Sequence, residues 1–181
     1  MSEEERKKGL ITASAGNHAQ GVAYAAKIYG VPATIVMPTT TPLIKVNRTK
    51  SYGAEVVLYG NVYDEACQYA LKLAKEKGLT FVHPFNDETV ATGQGTIAME
   101  IFKELPTVDI ILVPIGGGGL AAGVSTLAKL LNPNIKVIGV EPAGASCMKA
   151  SLEKGEVVTL PEVNTIADGT AVKTPGDIVF P

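Results

Sequence analysis

A chain of 181 residues, 46% of them hydrophobic and 19% charged, has the length of one large or two small domains and ample apolar material for a core. Its net charge of −2, with no basic run, offers nucleic acid no electrostatic hold. Cys67 and Cys147 have neither metal-ligand spacing nor the density of a disulfide framework, no signal-peptide pattern opens the chain, and no apolar run reaches the ~18 residues of a membrane span; the expected setting is a reducing cytoplasm.

Strand and helix patterns alternate along the chain, which predicts an α/β fold with parallel sheets built from βαβ units. "SEEERKKG" reads as a helix stub with Glu3–Lys7 and Glu4–Lys8 pairs. Leu10–Ser14 reads as a strand, followed by a helix that buries Ala19, Val22, Ala23 and Ala26 and stops at Gly30. Strands are predicted at Ala33–Pro38, Ala54–Tyr59 and Leu79–Val82, with helices from "TTTP" through Lys50 and over Tyr63–Lys77, the latter stopped by Gly78. The layout restarts after "HPFND", and a domain boundary is placed near Asn86. A helix over Glu88–Glu104 leads into Val108–Pro114, an apolar run that reads as a strand buried on both faces. Then come "GGGGL", a helix over Leu120–Leu131, a strand over Lys136–Glu141, a helix over Ser146–Lys154 and a less regular tail. "DIVFP" reads as a strand start without a successor, so both ends of the chain read as cut.

Two strand-to-helix turns carry chemistry. The glycines of "GGGGL" let successive N–H groups point inward at a helix start, where unpaired donors and a partial positive charge make a phosphate site from backbone alone. Two other readings stand beside it: a tight turn with nothing bound, and a dinucleotide fingerprint, Gly117-x-Gly119-x-x-Ala122, with Glu141 ending the next strand. In the first turn, "SAGNH", the N–H groups of Ala15, Gly16 and Asn17 and the side chains of Ser14, Asn17 and His18 suit a carboxylate. The structural alternative makes Ser14 an N-cap and His18 a satisfied loop histidine. One phosphate site and one carboxylate site suggest a phosphorylated cofactor meeting an amino or keto acid, and hydride transfer would not need so donor-rich a first loop.

"SAGNHAQGVAYAAKIYGVPATIVMP", "HPF", "GQGTIAMEI", "GGGGLAAG", "EPAGA" and "IADGTAV", in that order, resemble the threonine dehydratases (threonine ammonia-lyases). These are fold-type II pyridoxal-phosphate (PLP) enzymes, with serine racemase a near relative. The resemblance runs from Glu3 to Pro181. It implies a tryptophan synthase β-like architecture of three-layer, doubly wound parallel sheets: a small domain over residues 1–86 carrying the substrate-carboxylate loop, and part of the large PLP-phosphate-binding domain over residues 87–181. It also implies that Gly116, Gly117, Gly118, Gly119 and Leu120 bind the cofactor phosphate, Asn17 touches the pyridine 3′-oxygen and Gly169 lines the ring. Ser14, Ala15, Gly16, Asn17 and His18 are the implied substrate-binding residues. The implied substrates are L-threonine and L-serine, in isoleucine biosynthesis or threonine catabolism, with a homo-oligomeric parent and no role for nucleic acid or membrane.

In such enzymes a lysine that forms a Schiff base with PLP lies upstream of the "SAGNH" loop, and the serine that partners the pyridine nitrogen lies beyond the position of Pro181. No lysine here matches, Lys173 in its apolar setting included, so no catalytic residue is assigned and the chain is expected to be an internal fragment, inactive alone. Racemizing relatives place a serine where Ala15 stands, which favours elimination. Some relatives bind a divalent cation near the position of Glu141; Cys147 stands where a second carboxylate is expected, and the alternative reading of Glu141 is an ordinary solvated or capping carboxylate at a strand end. The remaining readings are serine racemase, a β-replacement enzyme such as cysteine synthase, and a non-catalytic anion- or cofactor-binding fragment.

Overall fold

The computed structural model describes residues 1–180. The chain divides into two compact units, Met1–Pro84 and Phe85–Pro181.

The first unit runs α1 (Glu3–Lys8), β1 (Leu10–Ala13), α2 (Asn17–Tyr29), β2 (Ala33–Met37), α3 (Leu43–Ser51), β3 (Glu55–Leu58), α4 (Tyr63–Lys77) and β4 (Thr80–Phe81). Its four strands are parallel, in the order β3-β2-β1-β4, with Leu10 opposite both Ala33 and Thr80. Side chains alternate across a strand, so β2 sends Ile35 and Met37 to one face and Val36 to the other. Ile35 and Met37 pack with Ala19 and Ala23 of α2 and Val46 of α3. Val36 joins Ile11 and Ala13 of β1 against Ala66, Ala70, Leu73 and Ala74 of α4. The sheet is therefore covered on both faces, as a doubly wound fold requires. Each fully buried Ile or Val is worth ~1.5–3 kcal/mol, and the alanine stripes leave no bulk between helix and sheet. Gly30 and Gly78 end α2 and α4 in the left-handed conformation, their N–H groups donated to the carbonyls of Ala26 and Ala74. A capping box holds α1: Glu5 N–H donates to Ser2 Oγ (3.3 Å) and Ser2 N–H to the Glu5 carboxylate (2.6 Å).

The second unit contains α5 (Glu88–Glu104), β5 (Ile110–Pro114), α6 (Gly119–Leu131), β6 (Lys136–Val140) and α7 (Cys147–Lys154), with short 3-10 turns at Ala143–Ala145 and Asp168–Thr170. Asp87 caps α5 by accepting the Val90 N–H at 2.9 Å. Helices α5 and α6 meet at Gly95 and Gly123, where a Cβ on Gly123 would overlap the Ala91 carbonyl. Strands β5 and β6 pair in parallel, Leu112 opposite Ile138.

One expectation fails here. The apolar run of β5 predicted burial on both faces, yet only Ile111 and Val113 face the core formed with Ala98, Val124 and Ala128. Ile110 and Leu112 are 53% and 66% exposed, and Ile138 and Val140 beside them 44% and 49%. The helices α5 and α6 cover one face of this two-stranded sheet, and no element among the described residues covers the other. No helix among them is long and apolar enough to cross a membrane.

Candidate functional site

In the first unit the turn from β1 to α2 lies at a topological switch point. Strand β1 sits between β2 and β4, which are reached by crossovers on opposite faces, and such points open a crevice at the strands' carboxyl ends. The N-cap of α2 is Gly16, which supplies no side-chain cap bond. Ser14 is therefore not the N-cap; its Oγ instead accepts the Gly16 N–H at 3.2 Å, while its own N–H goes to the Val36 carbonyl. That leaves the N–H groups of Ala15, Asn17 and His18 without a partner among the described residues, at the positive end of a thirteen-residue helix. Asn17 is exposed, and Ser14, Ala15, Gly16 and His18 are half-buried.

His18 is turned differently from its expected role as a side-chain donor. Its Nε2 lies 3.1 Å from Thr12 Oγ1 and 3.3 Å from the Val82 carbonyl, and Thr12 Oγ1 donates to that carbonyl at 2.7 Å. A carbonyl only accepts, so the ring carries its proton on Nε2 and directs it into the protein. Burial pushes the His18 pKa below its usual value, and nearby His83 pushes the same way, against the hydrogen bond to Val82, which raises it. The neutral ring then offers Nδ1 as an acceptor only. What His18 can give a carboxylate is its main-chain N–H.

In the second unit, Gly116–Leu120 joins β5 to α6. Ile115 N–H is held by the Val140 carbonyl at 2.8 Å, but the N–H groups of Gly116 through Leu120 have no partner among the described residues, and N-cap Gly118 gives no side-chain bond. The sequence requires glycine here for two reasons. Gly118 has φ +102°, a conformation that side chains resist. The neighbours also leave no room: a Cβ on Gly117 would enter the Phe85 ring, one on Gly119 would meet the Phe85 carbonyl at 2.6 Å, and one on Gly118 would meet Met148 Cε at 2.8 Å. A Cβ on Gly116 would press on Thr170 and Val172 at 3.3 Å and lie 3.7 Å from the Gly169 carbonyl. Gly169, exposed on its 3-10 turn, is thus brought beside the glycine loop. Phe85, Thr170 and Val172 lie in the "HPF" and "IADGTAV" segments without having been given a role there, Met148 lies outside any motif, and all four shape this loop by long-range contact.

Glu141 follows β6, and both its carboxylate oxygens are engaged: Oε1 accepts the Met148 N–H at 2.9 Å and Oε2 the Lys149 N–H at 2.8 Å. No group of three His, Cys, Asp or Glu side chains among the described residues could hold a metal. The Glu141 carboxylate caps α7, and the buried Cys147 beside it offers a thiol where a hard cation favours oxygen. Every lysine is exposed except Lys45, half-buried on α3, and Lys173 Nζ donates to the Pro161 carbonyl at 3.2 Å. None stands in the desolvated setting that a Schiff-base lysine needs.

Each turn is thus an uncapped helix start at the carboxyl end of a parallel strand. This is the means by which α/β proteins hold phosphorylated cofactors and small carboxylates. The family of pyridoxal-phosphate dependent enzymes matches residues 1–181, and the chain belongs to that family. An L-threonine ammonia-lyase of Thermotoga maritima is 54% identical over 180 residues, 99% of this chain and 45% of the relative. The processed form of threonine deaminase isoform 2 from Solanum lycopersicum superposes with a TM-score of 0.94 at 51% identity, covering 99% of this chain and 50% of that one. Maize serine racemase also reaches 0.94, at 39% identity and coverage of 100% and 55%. The chain spans about half or less of the length of such relatives.

Proposed function

We propose that this chain carries the cofactor-phosphate and substrate-carboxylate sites of a cytoplasmic, PLP-dependent L-threonine ammonia-lyase, and that by itself it binds without turnover. The observation that carries this reading is the run of N–H groups from Gly116 to Leu120, unpartnered among the described residues, with Gly116–Gly119 walled so closely that a Cβ is not accommodated. These amides, with the start of α6, hold the phosphate. The Gly169 strand of chain borders the same loop and lines the cofactor ring. The first unit, Met1–Pro84, acts as the small substrate domain, where the N–H groups of Ala15, Asn17 and His18 orient an amino-acid carboxylate. Bound PLP supplies the electron sink for bond breaking at the amino acid's α-carbon. The net reaction takes L-threonine to 2-oxobutanoate and ammonia, or L-serine to pyruvate and ammonia.

No residue here takes the α-proton, because no lysine is desolvated. Positioning and general-base catalysis are each worth orders of magnitude in rate, so their loss leaves only the cofactor's slow intrinsic chemistry. The test is incubation with PLP, borohydride reduction and peptide mass spectrometry. The expected result is scattered, substoichiometric pyridoxyl-lysine and no keto acid from threonine. One stoichiometrically labelled lysine together with 2-oxobutanoate formation would overturn the reading.

A further inference from the structure

We propose that Glu141 is a positioning residue for the glycine loop, acting through the first turn of α7 on Gly116 and Gly118. The inference rests on reading Gly116–Leu120 as a phosphate site. A trans peptide unit holds its C=O and N–H on opposite sides, so whatever grips a loop carbonyl aims the next N–H the other way. The Gly116 carbonyl accepts the Cys147 thiol at 3.8 Å, which directs the Gly117 N–H away from α7. The Gly117 carbonyl accepts the Gly176 N–H at 2.9 Å, which directs the Gly118 N–H away from the tail. Met148 Cε lies against Gly118 and fills the space under the loop at its left-handed residue. Cys147 and Met148 are the first two residues of α7, both buried.

The start of α7 is in turn held by Glu141. The N-cap Ser146 makes no side-chain cap bond, and the Glu141 carboxylate takes the Met148 and Lys149 N–H groups in its place. Glu141 directly follows Val140, whose carbonyl anchors Ile115 at the loop entrance. One stretch of chain thereby fixes both the entrance and the floor of the loop. Burial, then the Glu141 charge, raises the Cys147 pKa, so the thiol keeps the proton it donates to Gly116.

The experiment titrates the 181-residue chain with pyridoxine 5′-phosphate, which has no aldehyde and cannot react with surface lysines. Affinity is read by calorimetry and loop geometry by amide NMR shifts. Glu141→Ala and Cys147→Ala should each weaken binding about five- to tenfold, the scale of a lost helix cap. The double variant should bind no worse than the weaker single variant, since both act through one contact path. Cys147→Ser keeps a donor and should recover most of the loss. In the ligand-free Glu141→Ala chain the Gly117 and Gly118 amides should shift while Gly30 does not. Should Glu141→Ala not fold, Glu141→Gln, which keeps one acceptor for two donors, reads the same effects at smaller size. Wild-type affinity in the Glu141 variants, or additive losses in the double variant, would overturn the positioning role alone. Absence of binding by the wild-type chain would overturn the phosphate site and the positioning role with it.

Discussion

The Nε2–H of His18, at the start of α2, points to the Val82 carbonyl 3.3 Å away, just past β4, with Thr12 of β1 sharing that carbonyl. One imidazole thus ties three segments together beside the turn from β1 to α2, and it does so as a neutral ring. Its folded-state pKa lies below the unfolded value, so the unfolded chain binds the proton more readily. The stabilisation is complete above the unfolded value of about 6.5, falls as pH drops through the window down to the folded value, and then levels off. The melting temperature should accordingly decline from pH 7.5 to pH 5. In His18→Gln that part of the slope should vanish, with a loss of ~1 kcal/mol at pH 7.5 from the weakened hydrogen bonds. A slope identical in the two proteins would show that the titrating group lies elsewhere.

Gly123→Val tests the close approach of α5 and α6. The new side chain would have to enter the Ala91 carbonyl and crowd Gly95, where backbone cannot yield without parting the helices. A loss of at least ~2 kcal/mol is expected, the upper range for overpacking, and it should appear in the chemical denaturation of the second unit. Ala25→Val, at an exposed position on α2, serves as the control and should cost well under half of that. Equal losses in the two variants would mean that Gly123 is not a packing constraint.

The uncovered face of β5 and β6 predicts a surface property. Ile110, Leu112, Ile138 and Val140 form an apolar patch of a kind that monomeric proteins usually keep covered. The chain should enhance ANS fluorescence, and Leu112→Lys with Ile138→Lys should remove most of that signal at an unchanged melting temperature. Persistence of the full signal in the double variant would place the dye site elsewhere.

How much of this was legible depended on whether the information was local. The alanine spacing in α2 and α4 and the glycines that end them lie within a few residues of one another, and these elements fall where the sequence predicts. The two glycine-bearing turns were legible for the same reason. Apolar content in β5 identified a strand but could not say whether a second layer lies on its outer face. Glu141 read as a strand-end carboxylate with two possible uses, and only the fold brings the N–H groups of Met148 and Lys149 onto it. The inward turn of His18 was hidden because its partner, Val82, is distant in sequence and contributes only a backbone carbonyl. Phe85 lies in the quoted "HPF" segment, but nothing in that segment shows that its ring packs against Gly117.

The walls of the glycine loop come from widely separated segments: Phe85 before α5, Met148 in α7, Thr170 and Val172 in the tail, and Val179 beyond them. This bears on the order of events during synthesis. A nascent chain emerged only as far as α6 already has all four glycines but none of the walls downstream of them, and contacts so distant in sequence form late. The phosphate capture proposed for Gly116–Leu120 should therefore switch on after translation of α7 and the tail rather than with the glycines themselves. Released chains truncated after Leu131 should show no more affinity for pyridoxine 5′-phosphate than an unstructured glycine peptide, and equal affinity in short and long chains would contradict this. The cofactor would then report on completion of the second unit, and its binding would draw the late-arriving segments onto the loop by mass action.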